Sequence, residues 1–265
     1  MEVRGRSTAE AHPPVTAPTA MLAARMAVEM AAAGTVEVAA SESILRPCVA
    51  SGYPALMTPT QPISLVVFDL DGVFYDFLPA RRLAYLAGLS GKDAGSIRAA
   101  IWESDFEPSA EAGAYPTGEA YLQEFNRRLG YDLTRAQWVE ARRSAMAPRP
   151  GMFALLASLR PRIPLAVLTN NGALLRETLP LLAPELHALL GDRVHVTADF
   201  GARKPNPLVF TRLAARYRHQ PASIFFVDDG PANVAGAREA GLQAALFESE
   251  QQIARLLEEI LPPAG

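Results

Sequence analysis

The stretch that decides the fold is Val66-Val67-Phe68-Asp69-Leu70-Asp71-Gly72-Val73. An unbroken apolar run passes straight into two aspartates one residue apart, and then a glycine. A continuous apolar run of this length suits a strand buried on both faces of a parallel sheet. Two carboxylates so close raise each other's proton affinity, and a bound hard cation is the usual remedy. The stretch therefore predicts a core strand whose tip carries a cation site and receives something anionic.

Working outward, the runs Leu165-Ala166-Val167-Leu168 and Ile224-Phe225-Phe226-Val227 have the same apolar character. Weaker runs, Val194-His195-Val196 and Ala244-Ala245-Leu246-Phe247, predict further strands. Helical stretches at 152–160, 173–182, 207–218, 231–240 and 249–260 lie between and after them, with Gly241 as a C-cap. The alternation predicts an α/β fold with a doubly wound parallel sheet. Residues 79–148 break the rhythm. Segments 80–87, 95–104, 118–129 and 134–146 predict helices, with Thr117 and Thr134 as N-caps and no strand among them. The expected organisation is an α/β core over 61–78 and 149–265 with a helical insertion over 79–148. Residues 1–60 are rich in Ala, Pro, Thr and Ser and hold one aromatic, Tyr53. They predict a largely disordered extension with a short helix near 20–33. Met57, just before the first strand, is an alternative start of translation.

Three predicted strands end in polar groups: Asp69 and Asp71, then Thr169-Asn170-Asn171-Gly172, then Asp228-Asp229-Gly230. Lys204-Pro205 lies in a loop between the second and third. In open α/β sheets ligands bind beyond the carboxyl ends of the strands, so these groups are expected in one crevice. Each alone is an ordinary turn or cap sequence; their joint occurrence at strand ends is what carries the reading.

The order Asp69-Leu-Asp71, Thr169, Lys204, Asp228-Asp229 resembles the four motifs of the haloacid dehalogenase-like hydrolases, over roughly residues 63–247. The wording Thr169-Asn170-Asn171, Gly201-Ala-Arg-Lys204-Pro205 and Phe226-Val-Asp228-Asp229-Gly-Pro-Ala-Asn233 is similar to the family's sugar-phosphate phosphatases. The resemblance implies a Rossmann-like core with a helical cap over 79–148. It implies magnesium held by Asp69, the backbone carbonyl of Asp71 and Asp229, with Asp228 beside the metal and Asn233 orienting the carboxylates. Asp69 would be the nucleophile that forms an aspartyl-phosphate. Thr169 and the Asn170 N–H would hold phosphate oxygens, and Lys204 would neutralise charge. Asp71 would protonate the leaving alkoxide and then activate water. The family's dehalogenases lack that carboxylate, because halide leaves without a proton.

The implied activity is hydrolysis of a small phosphomonoester, a sugar phosphate or similar metabolite. The alternatives are a phosphomutase, a phospho-receiver module or a silent binding protein on the same fold. A net charge of −3 supplies no field for nucleic acid or an anionic membrane. One cysteine, Cys48, precludes an internal disulfide and suits a reducing, cytoplasmic setting. The pairs Arg81-Arg82 and Arg142-Arg143 are expected on solvated helix faces, and Trp102, Phe106, Tyr115 and Tyr121 in the core of the helical block. The four histidines, His12, His187, His195 and His219, show no metal-ligand spacing.

Overall fold

The computed structural model describes residues 61–261. The expected extension, its helix near 20–33, Cys48 and Met57 lie outside them. Seven strands follow in chain order: β1 (Leu65–Phe68), β2 (Tyr75–Phe77), β3 (Met146–Pro148), β4 (Leu165–Thr169), β5 (Val194–Val196), β6 (Ile224–Asp228) and β7 (Gln243–Leu246). Five of them form one parallel sheet in the order β5-β4-β1-β6-β7. β1 is the central strand, and Leu65, Val66, Val67 and Phe68 are all fully buried. That is why its run is apolar without alternation: each face has its own helices to pack against.

The two-residue period still sorts the side chains. Val66, Phe68, Leu165, Val167, Phe225 and Val227 join one core. Leu65, Val67, Ala166, Leu168, Ile224 and Phe226 join the other. Five helices complete the two layers. α6 (Pro150–Leu159), α7 (Ala173–Leu182) and α11 (Glu250–Ile260) bring Met152, Leu156, Leu174, Leu175, Ile253 and Leu257 to the first core. α9 (Pro207–Tyr217) and α10 (Pro231–Glu239) bring Phe210, Leu213, Val234 and Ala237 to the second. A short helix, α8 (Pro184–Leu190), follows α7 and was not expected.

Between β2 and β3 lie α1 (Pro79–Ser90), α2 (Ala94–Ile101), α3 (Phe106–Glu111), α4 (Gly118–Leu129) and α5 (Arg135–Ser144). The Thr117 hydroxyl accepts from the Ala120 N–H, and Thr134 closes a capping box with Gln137. Asp93 caps α2 by accepting from the Ser96 N–H. Phe106, Tyr121, Phe125 and Trp138 form an aromatic core, with Phe106 and Tyr121 centroids 5.1 Å apart. Trp102 and Tyr115 pack against it, half-buried.

Two expectations are corrected here. The stretch 79–148 does contain a strand: Met146–Pro148 pairs antiparallel with Tyr75–Phe77. Three residues are too few to display a period, so the segment passed as the end of a helix. Of the arginine pairs, Arg81 and Arg143 are exposed, but Arg82 and Arg142 are buried, at 4% and 3% exposure. Each shares a helical stripe with apolar residues, Arg82 with Leu83 and Leu86 and Arg142 with Trp138 and Val139.

Candidate active site

The register of the sheet places the site. β1 pairs with β4 on one side and β6 on the other, with Phe68 opposite both Val167 and Val227. The tips of three adjacent strands, carrying Asp69, Thr169 and Asp228, are therefore neighbours, and the Asp69 N–H donates to the Val227 carbonyl at 2.8 Å. Beyond Asp69 the chain turns back. The N–H groups of Phe74 and Tyr75 both reach the Leu70 carbonyl, and that of Gly72 reaches the Tyr75 carbonyl. Gly72 has φ +81°, and a Cβ there would lie 2.0 Å from Asp229 Oδ2. Only glycine meets both conditions.

Lys204 is 1% exposed and its ammonium lies between two carboxylates, 2.8 Å from Asp69 Oδ1 and 2.6 Å from Asp228 Oδ2. Burial alone would lower its pKa, but Asp69 and then Asp228 outweigh burial and hold it above its ordinary value. Burial pushes the Asp69 carboxyl up from the usual carboxylate range; Lys204 pulls it back, and Asp228 adds to the rise. Asp229 is likewise raised, by burial first and then by Asp228. This is a site with more negative charge than one lysine neutralises.

Side-chain amides hold these groups in place. Asn170 clamps the Lys204 backbone at two points: its Nδ2 donates to the Lys204 carbonyl and its Oδ1 accepts from the Lys204 N–H, both at 2.9 Å. Asn171 Nδ2 donates to the Thr169 hydroxyl at 2.9 Å. Asp228 Oδ1 accepts from Asn233 Nδ2 at 2.9 Å and from the Gly230 N–H at 2.8 Å. With Oδ2 on Lys204, both oxygens of Asp228 are engaged. Gly236 lets α10 approach the lysine loop, since a Cβ there would lie 1.9 Å from the Pro205 carbonyl oxygen. Asn171 entered only as part of the Thr169-Asn170-Asn171 motif, with no role of its own, and Gly236 was not singled out from the sequence. Their signal is their place beside residues that were.

Arg142 was missed outright. From α5 its Nη2 pairs with Asp71 Oδ2, and its guanidinium carbon lies 4.3 Å from the centroid of the Phe77 ring. Asp71 is thereby tied to the helical block rather than to the sheet.

Asp69, Asp71, Thr169, Asn170, Lys204, Asp229 and Asn233 all line one cavity of about 310 Å³, together with Gly72 and Phe77. Asp228 lies beside it, fully buried. The structure thus gathers all eight predicted site residues. Carboxylate oxygens of Asp69, Asp228 and Asp229 lie within 4.8 Å of one another. An all-oxygen donor set with excess negative charge fits a hard divalent cation such as magnesium. Since Asp228 is already engaged, Asp69 and Asp229 are the carboxylates left to hold it.

The family model for haloacid dehalogenase-like hydrolases matches residues 63–241. The chain belongs to this family. Among curated relatives of this haloacid dehalogenase-like hydrolase is Phosphatase MT3486 of Mycobacterium tuberculosis, 27% identical over 72% of this chain and 89% of the relative. A predicted HAD-like family hydrolase from Porphyromonas gingivalis shares the fold at TM-score 0.62 and 25% identity, over 74% of this chain and 98% of that one. The enzyme bt-2542 of Bacteroides thetaiotaomicron, solved with magnesium and inorganic phosphate, superposes at TM-score 0.60 with 18% identity, over 69% and 93%. L-2-haloacid dehalogenases also share this fold. Among the described residues no helix is long and apolar enough to cross a membrane.

Proposed function

We propose that this hydrolase is a magnesium-dependent phosphatase that cleaves a small phosphomonoester through an aspartyl-phosphate. The observation that carries the reading is the second carboxylate, Asp71, in the same cavity as Asp69 and Lys204. A halide needs no proton to leave, whereas an alkoxide does, so a carboxylate beside the nucleophile favours ester cleavage over dehalogenation. The phosphatase among the curated relatives and the phosphate-bound neighbour support the same side.

In this reading Asp69 attacks phosphorus and Asp71 donates a proton to the departing oxygen. Asp71 then draws a proton from the water that hydrolyses the intermediate. The Thr169 hydroxyl, set by Asn171, and the Asn170 N–H hold phosphoryl oxygens. Lys204 stabilises the charge that spreads over them. Magnesium, held by Asp69, the Asp71 carbonyl and Asp229, would mask the charge of the anion. Asp228 and Asn233 keep Lys204 and the metal carboxylates oriented. The helical block over 79–148 serves as a cap: Arg142, paired with Asp71 and stacked on Phe77, brings it to the edge of the cavity, which suits a metabolite better than a macromolecular substrate.

The test is phosphate release from phenyl phosphate by the purified chain with magnesium. Asp69→Asn abolishes release while circular dichroism stays that of the wild type, and a chelator silences the enzyme until magnesium is restored. Undiminished release by Asp69→Asn overturns the nucleophile. Halide release from a 2-haloacid, with no phosphate released from any ester, moves the assignment to dehalogenation.

A further inference from the structure

A second cavity, of about 460 Å³, opens between the start of α1 and the end of α2. Phe77, Pro79, Leu83 and Trp102 give it an apolar wall, and the exposed Arg98 and Glu103 also border it. The remaining lining residue is the buried Arg82. Its guanidinium carbon lies 5.0 Å from the Trp102 ring centroid, 5.2 Å from Trp138 and 5.9 Å from Phe125. Nε and Nη2 are buried with no hydrogen-bond partner. Burial lowers its pKa; the Tyr121 hydroxyl, within its reach, and then Glu107 offset part of that, and Tyr121 itself donates to Glu107 at 2.8 Å. Arginine stays charged in proteins, and a buried cation whose nearest acid is shared with a tyrosine is only partly compensated. Aromatic faces offset part of that cost, and a guanidinium with N–H groups that lack acceptors remains complementary to an anionic oxygen.

The two cavities share one lining residue, Phe77. Building on the phosphatase reading, we propose that the second cavity receives the leaving group of the substrate. That group is a flat apolar body, packed on Trp102, Leu83 and Phe77, bearing a second anionic group, carboxylate or phosphate, directed to Arg82. This class departs from sugar phosphates, whose hydroxyls would find few partners on such a wall.

The experiment compares kcat/KM of the magnesium-loaded enzyme for five esters: phenyl phosphate, 3- and 4-carboxyphenyl phosphate, phenylene bisphosphate and glucose 1-phosphate. At least one doubly anionic aryl ester is expected to exceed phenyl phosphate by roughly tenfold to a hundredfold, the range of one charged hydrogen-bonded contact. Which of the two ranks first identifies the anion. Arg82→Gln brings that ratio to within about threefold of unity, whereas Arg82→Lys retains part of it. Comparable kcat/KM for all aryl esters in the wild type overturns the proposal even if no variant folds, and so does a ratio unchanged in Arg82→Gln. Both results leave the phosphatase reading standing, because phenyl phosphate is still cleaved. No release from any ester would strike that reading itself.

Discussion

Replacing Lys204 by methionine keeps the length of the side chain and removes its charge. At an effective dielectric of about 20, its contacts at 2.8 and 2.6 Å each correspond to roughly 6 kcal/mol of gross attraction. Asp69 and Asp228, with oxygens within 4.8 Å, then repel each other by roughly 3.5 kcal/mol or more on the same scale. Desolvation of the ammonium offsets much of the gross figure, and removing one partner from a buried pair costs about 3–5 kcal/mol net. The deficit depends on pH. Without the cation, the folded-state pKa of the Asp69 carboxyl rises further above the unfolded value of about 3.9. A raised acid binds its proton more tightly in the folded state, so stability falls as pH rises through that window. Urea unfolding in chelator at pH 8 and pH 5 measures both effects. Lys204→Met is expected to lose about 3–5 kcal/mol at pH 8 and clearly less at pH 5. A loss under about 1 kcal/mol at pH 8, or the same loss at both values, would refute the claim that Lys204 holds two buried anions together.

Further outcomes follow from the same geometry. Asp71→Asn should slow hydrolysis of an alkyl phosphate by about 10²–10⁴ but that of p-nitrophenyl phosphate far less, because nitrophenolate leaves unprotonated; equal losses would remove Asp71 from proton transfer. Arg142→Leu should cost about 1–3 kcal/mol in urea unfolding by leaving Asp71 without its partner, and should lower kcat as the carboxyl loses its orientation; wild-type values of both would make the contact incidental. His195 is held neutral: burial first, then Arg216, lowers its pKa to about 4, and its Nε2 lies 2.7 Å from the Tyr217 hydroxyl. Its stabilising contribution is complete above the unfolded pKa near 6.5 and is lost as pH falls toward 4. His195→Gln should therefore flatten the decline in stability between pH 6.5 and 4, and an unaltered acid limb in chemical denaturation would contradict this.

What could be read in advance followed from how strongly each feature is patterned. A strand buried on both faces has no choice but an unbroken apolar run, so β1, β4 and β6 were plain, and so were the carboxylates, threonine and lysine at their ends. Helix bounds came within a few residues because Thr117 and Thr134 carry their own capping chemistry. The ribbon of β2 and β3 was invisible because three residues hold no period. Arg82 and Arg142 were misjudged because an arginine next to another arginine suggests solvent, although each lies one turn from apolar residues of its own stripe. The pairing of Arg142 with Asp71 spans 71 positions, and no local pattern encodes a contact of that range.

The ribbon has one more implication. The chain leaves the sheet layer along Tyr75–Phe77 and returns along Met146–Pro148, with Phe77 directly opposite Met146. Outgoing and incoming segments are thus zipped to each other before either reaches a helix. Whatever is spliced between them, long or short, starts and finishes at the same two points and transmits no change of register to β1 or β4. Such a junction lets the upper storey of the molecule be exchanged over evolutionary time while the floor beneath it keeps its shape.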